Sequence, residues 1–229
     1  MTLKVRIFLS FFIIILLMGS SISLIGHTVI EKDIIQREQK QVSIDLRSVE
    51  NVFNYSMNDI ITELLKNTNN PYKSGDNNKL DYMLTVTEGE KDNVKSEIVL
   101  EAFKGNTCSG TRIIEKDELL WLDKVKGTNL YEKSKIEIKG ISNNSNIKIL
   151  EKALAMEYAL PLVNKEGIVE HVLYGGKILN RNTEIVDKLR DIVFNNNLYD
   201  NKHVGTVTIF LQDIRVSTNI MNEKNERAI

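Results

Sequence analysis

The sequence predicts an α+β fold in which a membrane-spanning helix continues into a long stem helix, and the stem helix packs on an antiparallel sheet. Three observations predict it. Residues 7–30 are almost wholly apolar and carry no charge. Residues 31–66 contain neither proline nor glycine and have apolar residues at helical spacing. The last third consists of short apolar runs separated by turn signals, which predicts two antiparallel hairpins with helices on one face.

Length and composition restrict the class of protein. The 229 residues suit one domain plus an appendage, and the net charge of −1 gives no overall field that would attract nucleic acid. The one cysteine, Cys108, excludes an intramolecular disulfide and a zinc site built on paired cysteines. His27, His171 and His203 are too far apart in sequence to suggest a metal site. No motif requires a cofactor.

The apolar segment, residues 7–30, is long enough to cross a bilayer. Lys4 and Arg6 precede it, so the positive-inside rule predicts a cytoplasmic segment at residues 1–6 and an extracytoplasmic location for the rest. A cleaved signal peptide is the alternative, since residues 19–21 are small. The apolar run continues beyond them, which favours an uncleaved signal-anchor.

The stem helix is predicted over residues 31–70. Its apolar face has residues three or four apart, and its upper half is expected to pack on the sheet. A dimer seam along the lower part is an open alternative. The run 67–71, rich in asparagine and ending in proline, is expected to stop the helix. The apolar face comprises Val42, Leu46, Val49, Phe53, Met57, Ile60 and Leu64.

The middle region predicts shorter elements, with Gly105 as a helix C-cap. In chain order they are a helix or strand at 79–87, a helix at 94–103, a strand at 107–114, a helix at 116–125, and a polar excursion at 127–146 that includes a strand at 135–138.

The last third predicts the sheet. Gly167 suits a tight hairpin turn, and Gly175-Gly176 is expected to turn the chain off the sheet. The predicted elements are strands at 153–163 and 168–174, a helix with apolar residues spaced from Ile178 to Val193, a strand at 203–211, a turn at 212–213 and a strand at 214–219.

Several stretches of this chain resemble the Cache sensory domains, double-Cache type, of bacterial sensor histidine kinases and chemoreceptors. They are LYGGKILNRN at 173–182, IVD at 185–187, VGTVTIF at 204–210, DIRVSTN at 213–219 and RAI at 227–229. Weaker similarity lies in AFKG at 102–105, SGT at 109–111 and ALPLV at 159–163.

The resemblance implies a PAS-like extracytoplasmic sensor domain over residues 71–229. It also implies a small-molecule ligand of carboxylate or amine type, held between sheet and helix. Arginine forks and tyrosine or asparagine side chains suit such ligands. The candidate ligand-binding residues are Tyr174, Lys177, Asp213, Arg215, Thr218 and Asn219. Each also has a structural interpretation, as turn former, solvated surface residue or core residue.

The chain departs from the family pattern in two ways. Residues 85–93 are too short for the expected hairpin, which puts the pocket in question. Relatives continue into a second membrane helix and a cytoplasmic output domain, so we expect a sensor domain that is incomplete at its C-terminus.

Three functions remain open. The first is a membrane-anchored ligand-sensing module of a sensor kinase or chemoreceptor, which forms a homodimer through the stem helix. The second is a receptor-pairing scaffold without a ligand. The third is an anchored extracytoplasmic enzyme, for which the sequence offers no catalytic motif, so we expect no enzymatic activity.

Overall fold

The computed structural model describes residues 3–66, 68, 79–138, 148–200 and 202–229. The helices are α1 (Leu3–Lys66), α2 (Lys91–Val94), α3 (Glu97–Phe103), α4 (Lys116–Lys126), α5 (Leu130–Ser134) and α6 (Thr183–Val193). The strands are β1 (Tyr82–Thr87), β2 (Cys108–Ile114), β3 (Ile136–Ile138), β4 (Lys148–Leu150), β5 (Ala153–Val163), β6 (Val169–Ile178), β7 (Leu198–Tyr199), β8 (Lys202–His203), β9 (Thr208–Leu211) and β10 (Ile214–Thr218).

The chain divides into two units, residues 1–48 and residues 49–229. In the first unit α1 is long and apolar enough to cross a membrane, and it is the one such helix among the residues described. In the second unit the same helix buries Met57, Ile60 and Leu64, while Phe53 is partly buried. The expected packing of the upper stem on the sheet is therefore confirmed. The predicted stop at 67–71 lies almost wholly outside the described residues.

The main sheet is antiparallel and has the strand order β1-β6-β5-β2. One face packs on α1 and α6 through Leu173, Met156 and their neighbours. The other face packs on residues of α2 to α5, including Leu119 and Leu122. The prediction of helices on one face is wrong, because successive residues of each buried strand project to both sides and each side needs an apolar cover.

The β5–β6 hairpin is the best-predicted part of the sheet. Strand β5 has the expected bounds, and Gly167 adopts a positive φ of 80° in the turn. Strand β6, however, runs through Gly175 and Gly176 to Ile178, so the expected turn off the sheet at these glycines is wrong. Both glycines pair with neighbouring strands, and the absence of a side chain leaves space for Tyr82 and for Leu64 of α1.

Other elements differ in detail from the sequence expectation. The helix expected at 94–103 begins only at Glu97, as α3, because Lys95 has a φ of 46° and separates it from α2, which ends at Val94. The excursion at 127–146 contains the unpredicted α5 before β3, and residues 139–147 lie outside the described part. The strand expected at 203–211 is divided: His203 ends β8, and β9 begins at Thr208. Hairpin β9–β10 forms a separate two-stranded sheet.

Candidate functional site

The sheet face that α2 to α5 cover has a polar centre. Tyr82 and Glu157 both pair with Gly176 across neighbouring strands, so they project to the same face. Arg112 pairs with Ala155, two residues before Glu157, and Tyr174 pairs with Ala159, two residues after it. The alternation of strand side chains therefore brings an arginine, a glutamate and two tyrosines together inside an otherwise apolar layer. Glu118 of α4 completes the set, which we name the Arg112 cluster: Tyr82, Arg112, Glu118, Glu157 and Tyr174.

Arg112 is the centre of the cluster. Its Nε donates to Glu157 Oε2 at 2.6 Å. Its Nη1 donates to Glu118 Oε2 at 2.9 Å, and its Nη2 donates to the other oxygen of the same carboxylate, so the pair is bidentate. Nη2 also contacts the Val94 carbonyl oxygen at 3.2 Å and Tyr174 Oη at 3.1 Å. Every nitrogen of the guanidinium is thus engaged within the protein.

Glu157 is fully buried and receives donors on both oxygens. Tyr82 Oη donates to Oε1 at 2.6 Å, and Tyr174 Oη donates to the same oxygen. Ser96 Oγ lies 3.4 Å from Oε2, beside the contact to Arg112. The two tyrosine rings lie 5.6 Å apart, tilted by 55°. The carboxylate is therefore fixed by hydrogen bonds from three strands.

The glycine at position 176 makes this arrangement possible. A Cβ atom there would lie 2.6 Å from Tyr82 Oη and 2.5 Å from the Met156 carbonyl oxygen. On the opposite face a Cβ atom at Gly175 would lie 3.1 Å from Leu64 Cδ2 and 2.8 Å from the Tyr82 carbonyl oxygen. Gly176 thus leaves room for the Tyr82 side chain in the cluster, and Gly175 leaves room for Leu64 of α1 against the sheet.

Burial shapes the ionisation of the cluster. It raises the pKa of Glu118 to about 7, and the hydrogen bond and charge of Arg112 oppose this shift only in part. It also raises the pKa of both Tyr82 and Tyr174 well above the usual value, with the Glu157 charge acting in the same direction. Glu118 and Glu157 are the buried carboxylates among the residues described, and both contact the one guanidinium. Two carboxyl groups therefore share a single guanidinium.

A second polar region is an open cavity of about 410 Å³ at the end of the sheet, beside the start of α6. Asp81, Lys133, Arg181 and Glu184 line it together with apolar residues. The Asp81 carboxylate accepts the Ile178 N–H at 2.7 Å, and burial raises its pKa. This cavity is accessible from solvent but lacks the convergent hydrogen bonds of the Arg112 cluster.

The six residues predicted from the sequence do not form one site. Tyr174 belongs to the Arg112 cluster. Lys177 projects to the opposite face and lines a small recess with Asp59 of α1. Asp213 lies in the β9–β10 turn and lines a cavity of about 390 Å³ together with Arg215.

The other contacts of the predicted residues are within the protein. Arg215 Nη1 donates to the Ala228 carbonyl oxygen at 2.8 Å. The Thr218 hydroxyl lies 2.8 Å from that of Thr208. The Asn219 side chain accepts the Val207 N–H at 2.7 Å and donates to the Gly205 carbonyl oxygen at 3.0 Å. It therefore joins the end of β10 to the residues that precede β9. A ligand-binding role for these residues stays a prediction.

Sequence reasoning missed Tyr82, Arg112, Glu118 and Glu157. One usable signal was present. Arg112 occupies a position in β2 where the alternating pattern of the strand points inward, between Gly110 and the buried Ile114. An arginine at an inward position predicts a buried carboxylate partner. Which carboxylate is this partner depends on the strand pairing, and the pairing cannot be read from the sequence.

Comparison with known proteins gave one result. Residues 177–229 match the family model described as single cache domain 3, and a search of curated proteins returned no match. The match covers less than half of the chain. It includes α6 and the β9–β10 hairpin but not Arg112, Glu118 or Glu157. The matched model is of the single-Cache kind, and the double-Cache type expected from the sequence stays a prediction. With the apolar N-terminal helix, the match fits a single-pass membrane protein and supports a Cache sensory domain in this chain.

Proposed function

We propose that this chain is a membrane-anchored, extracytoplasmic module that senses a small ligand for a sensor kinase or chemoreceptor. The observation that carries the proposal is the Arg112 cluster, in which two carboxylates and a guanidinium lie buried on one sheet face. Burying charges in a small domain costs stability, and residues that only fill a core seldom need them. A site that recognises a charged or polar small molecule does need them. The Cache match supports the sensory role.

The proposed role is binding rather than catalysis. The cluster contains neither a serine or cysteine nucleophile paired with a histidine nor an apparent open position for a reacting atom. Its donors and acceptors are paired with one another in the chain alone, so a small polar ligand would bind by replacing one of these internal partners. The ligand is of carboxylate or amine type, as the charges of the cluster favour.

The test is the thermal stability of the full chain in detergent micelles, measured with a panel of small carboxylates, amines and amino acids. A ligand stabilises the folded state by RT ln(1 + [L]/Kd), about 2.7 kcal/mol at a hundredfold excess over Kd. We expect at least one compound to raise Tm, and Arg112→Gln to abolish the shift. Arg47→Gln, which neutralises an exposed arginine of α1, is the control. Absence of a shift in both the wild type and Glu118→Gln, a variant that lacks the carboxylate held by Arg112, contradicts the proposal.

We further propose a homodimer through the stem helix, consistent with receptor signalling by small helix displacements. In the first unit α1 exposes Val42 and Leu46, by 54% and 64%, although both belong to its apolar face. Cysteines at these two positions are expected to crosslink between copies on oxidation, whereas a cysteine at Lys40 on the charged side is not. Equal crosslinking at all three positions contradicts this seam.

A further inference from the structure

We propose that Glu118 is an intramolecular occupant of a carboxylate-binding site centred on Arg112, and that a small external carboxylate binds by exchange with it. The exchange releases α4 from the sheet. The inference rests on the proposed sensory function and adds to it the ligand class and the moving element.

The Arg112–Glu118 contact has the geometry of a bound ligand. Two guanidinium nitrogens donate to the two oxygens of one carboxylate, which is how arginine commonly holds a free carboxylate. The Glu118 side chain is about 1% exposed and that of Arg112 is 17% exposed, so the pair is shielded from competing water. A carboxylate of similar size would find the same two donors if Glu118 withdrew.

The two carboxylates of the cluster differ in how they are held. Glu157 lies on β5, the strand between β6 and β2, and hydrogen bonds from three further residues fix it. In the part of the chain that the structure describes, the Glu118 carboxylate accepts side-chain hydrogen bonds from Arg112 alone. Exchange at Glu118 therefore breaks one pair of polar contacts and displaces α4, whose Leu119 and Leu122 lie in the core, whereas exchange at Glu157 would disrupt the sheet itself.

Helix α4, which carries Glu118, is hydrogen-bonded to the start of α5. Asp123 of α4 accepts the Thr128 hydroxyl at 2.7 Å and the Leu130 and Tyr131 N–H groups at 2.6 and 3.0 Å. These bonds tie α4 to the start of α5. A displacement of α4 on loss of the Glu118 contact is thus passed through these hydrogen bonds to α5, which β3 follows in the chain.

An internal occupant also weakens the apparent affinity for the external ligand. The tethered carboxylate competes at a high effective concentration, so only the fraction of molecules with Glu118 withdrawn can bind. Burial raises the pKa of Glu118, which reduces the strength of this competition near neutral pH. The charged and titratable groups around Glu118 are Arg112 of β2, Glu157 of β5, Tyr174 of β6, Lys95 between α2 and α3, and Asp117 beside it on α4.

Trp121, the one tryptophan of the chain, lies on α4 and packs partly buried against the core, so its fluorescence reports release of the helix. The experiment titrates the full chain in detergent micelles with acetate, propionate and succinate, with methylamine as a cationic control. We expect carboxylates to shift Trp121 emission to longer wavelength. Glu118→Gln is expected to shift emission without ligand and to tighten carboxylate binding about tenfold.

Asp117→Asn is the matched control. It removes the same charge from the adjacent, exposed residue of α4, which pairs with Lys95. It is expected to leave both emission and affinity unchanged. Since the wild-type titration needs no substitution, the test does not depend on the stability of Glu118→Gln.

The outcomes separate this inference from the proposed function. Carboxylate binding with equal affinity in wild type and Glu118→Gln, or without a Trp121 shift, overturns the exchange and leaves the sensory role intact. Binding of methylamine without binding of any carboxylate likewise overturns the exchange and leaves the sensory role intact. Binding that appears only in Glu118→Gln supports the exchange, because the internal occupant then prevents detection in the wild type. Absence of binding in both proteins, with unchanged emission, contradicts the inference and the sensory role together.

Discussion

At the scale of single residues, Arg112 shows how a buried charge is made tolerable. The guanidinium is surrounded by two carboxylates, a carbonyl oxygen and a phenol, and these partners raise its pKa although burial alone would lower it. Replacing one partner leaves the others unpaired in a dry environment, which costs more than the contact contributes. The cluster is therefore sensitive to every one of its members.

The ionisation of Glu118 gives a pH prediction. Its pKa rises from an ordinary 4.5 to about 7 on folding. Between these values the folded state keeps a proton that the unfolded state loses, so the free energy of unfolding falls as the pH rises, by on the order of 3 kcal/mol. Below pH 4.5 the free energy of unfolding carries no penalty from Glu118, because the group is protonated in both states. Above pH 7 the full loss of stability is reached.

The measurement is denaturant unfolding of the full chain in micelles between pH 4.5 and 8, for wild type and Glu118→Gln. The variant cannot titrate at this position. We expect the wild type to lose stability relative to the variant as the pH rises through this window. Parallel curves would mean that Glu118 ionises as it does in water.

The lack of a side chain at Gly176 leads to a prediction about packing and stability. In Gly176→Ala the new methyl group meets Tyr82 Oη and the Met156 carbonyl oxygen, and the strand or the ring must shift. We expect a loss of about 1–3 kcal/mol in the free energy of unfolding, as for overpacked cores. Gly110→Ala is the control, since Gly110 also pairs with Glu157 but its Cβ atom would meet only Ile98 Cδ1 at an ordinary 3.5 Å. Equal losses in the two variants would contradict the role assigned to Gly176.

At the scale of elements, the sequence predicts those whose ends carry local signals. Strand β5 ends before the Gly167 turn, and α4 is followed by Gly127, which adopts a φ of 67°. Helix α6 carries a signal of the same kind, since the Asn182 side chain accepts the Ile185 N–H at 3.2 Å, but the helical spacing predicted from Ile178 is wrong at its start: Ile178 ends β6 and the helix begins at Thr183. Such caps and turns depend on a few neighbouring residues, so the sequence is enough to find them.

Elements determined by distant contacts were harder to predict. Strand β6 continues through two glycines because β1 and β5 pair with it on both sides, and that pairing is invisible locally. Likewise Arg112 and Glu157 are 45 residues apart in sequence, and only the register of β2 on β5 brings them together. The candidate site was therefore missed except for Tyr174, whereas the fold class was predictable.

The β9–β10 segment gives a prediction at this scale. Asn219 fixes Val207 and Gly205 through both atoms of its amide, so Asn219→Ala leaves two backbone groups without these partners. We expect a loss of about 1–3 kcal/mol in stability, with unchanged ligand response if the site is the Arg112 cluster. Asp213→Asn, at an exposed turn position, is the control and is expected to change stability by less than about 0.5 kcal/mol. If Asn219→Ala folds but no longer responds to the ligand, the result supports instead the binding site predicted from the sequence, which includes Asn219.

At the scale of the whole molecule, membrane orientation can be tested directly. Lys165, in the β5–β6 turn, is exposed and is replaced by cysteine in a Cys108→Ser background. If the proposed orientation holds, a membrane-impermeant maleimide labels this cysteine in intact cells. A cysteine at Leu3 in the same background is expected to react only after lysis. The reverse pattern contradicts the extracytoplasmic assignment.

The antiparallel sheet also has a kinetic consequence. Tyr82 and Tyr174 meet although 92 residues separate them, since the edge strand β1 pairs only with β6. Contacts between such distant segments form slowly, and an unpaired β1 exposes its backbone in the meantime. During synthesis β1 must therefore wait until β6 has emerged. A chain that is stopped before β6 keeps the membrane helix but has no partner for its first strand, which makes it a substrate for quality-control proteases.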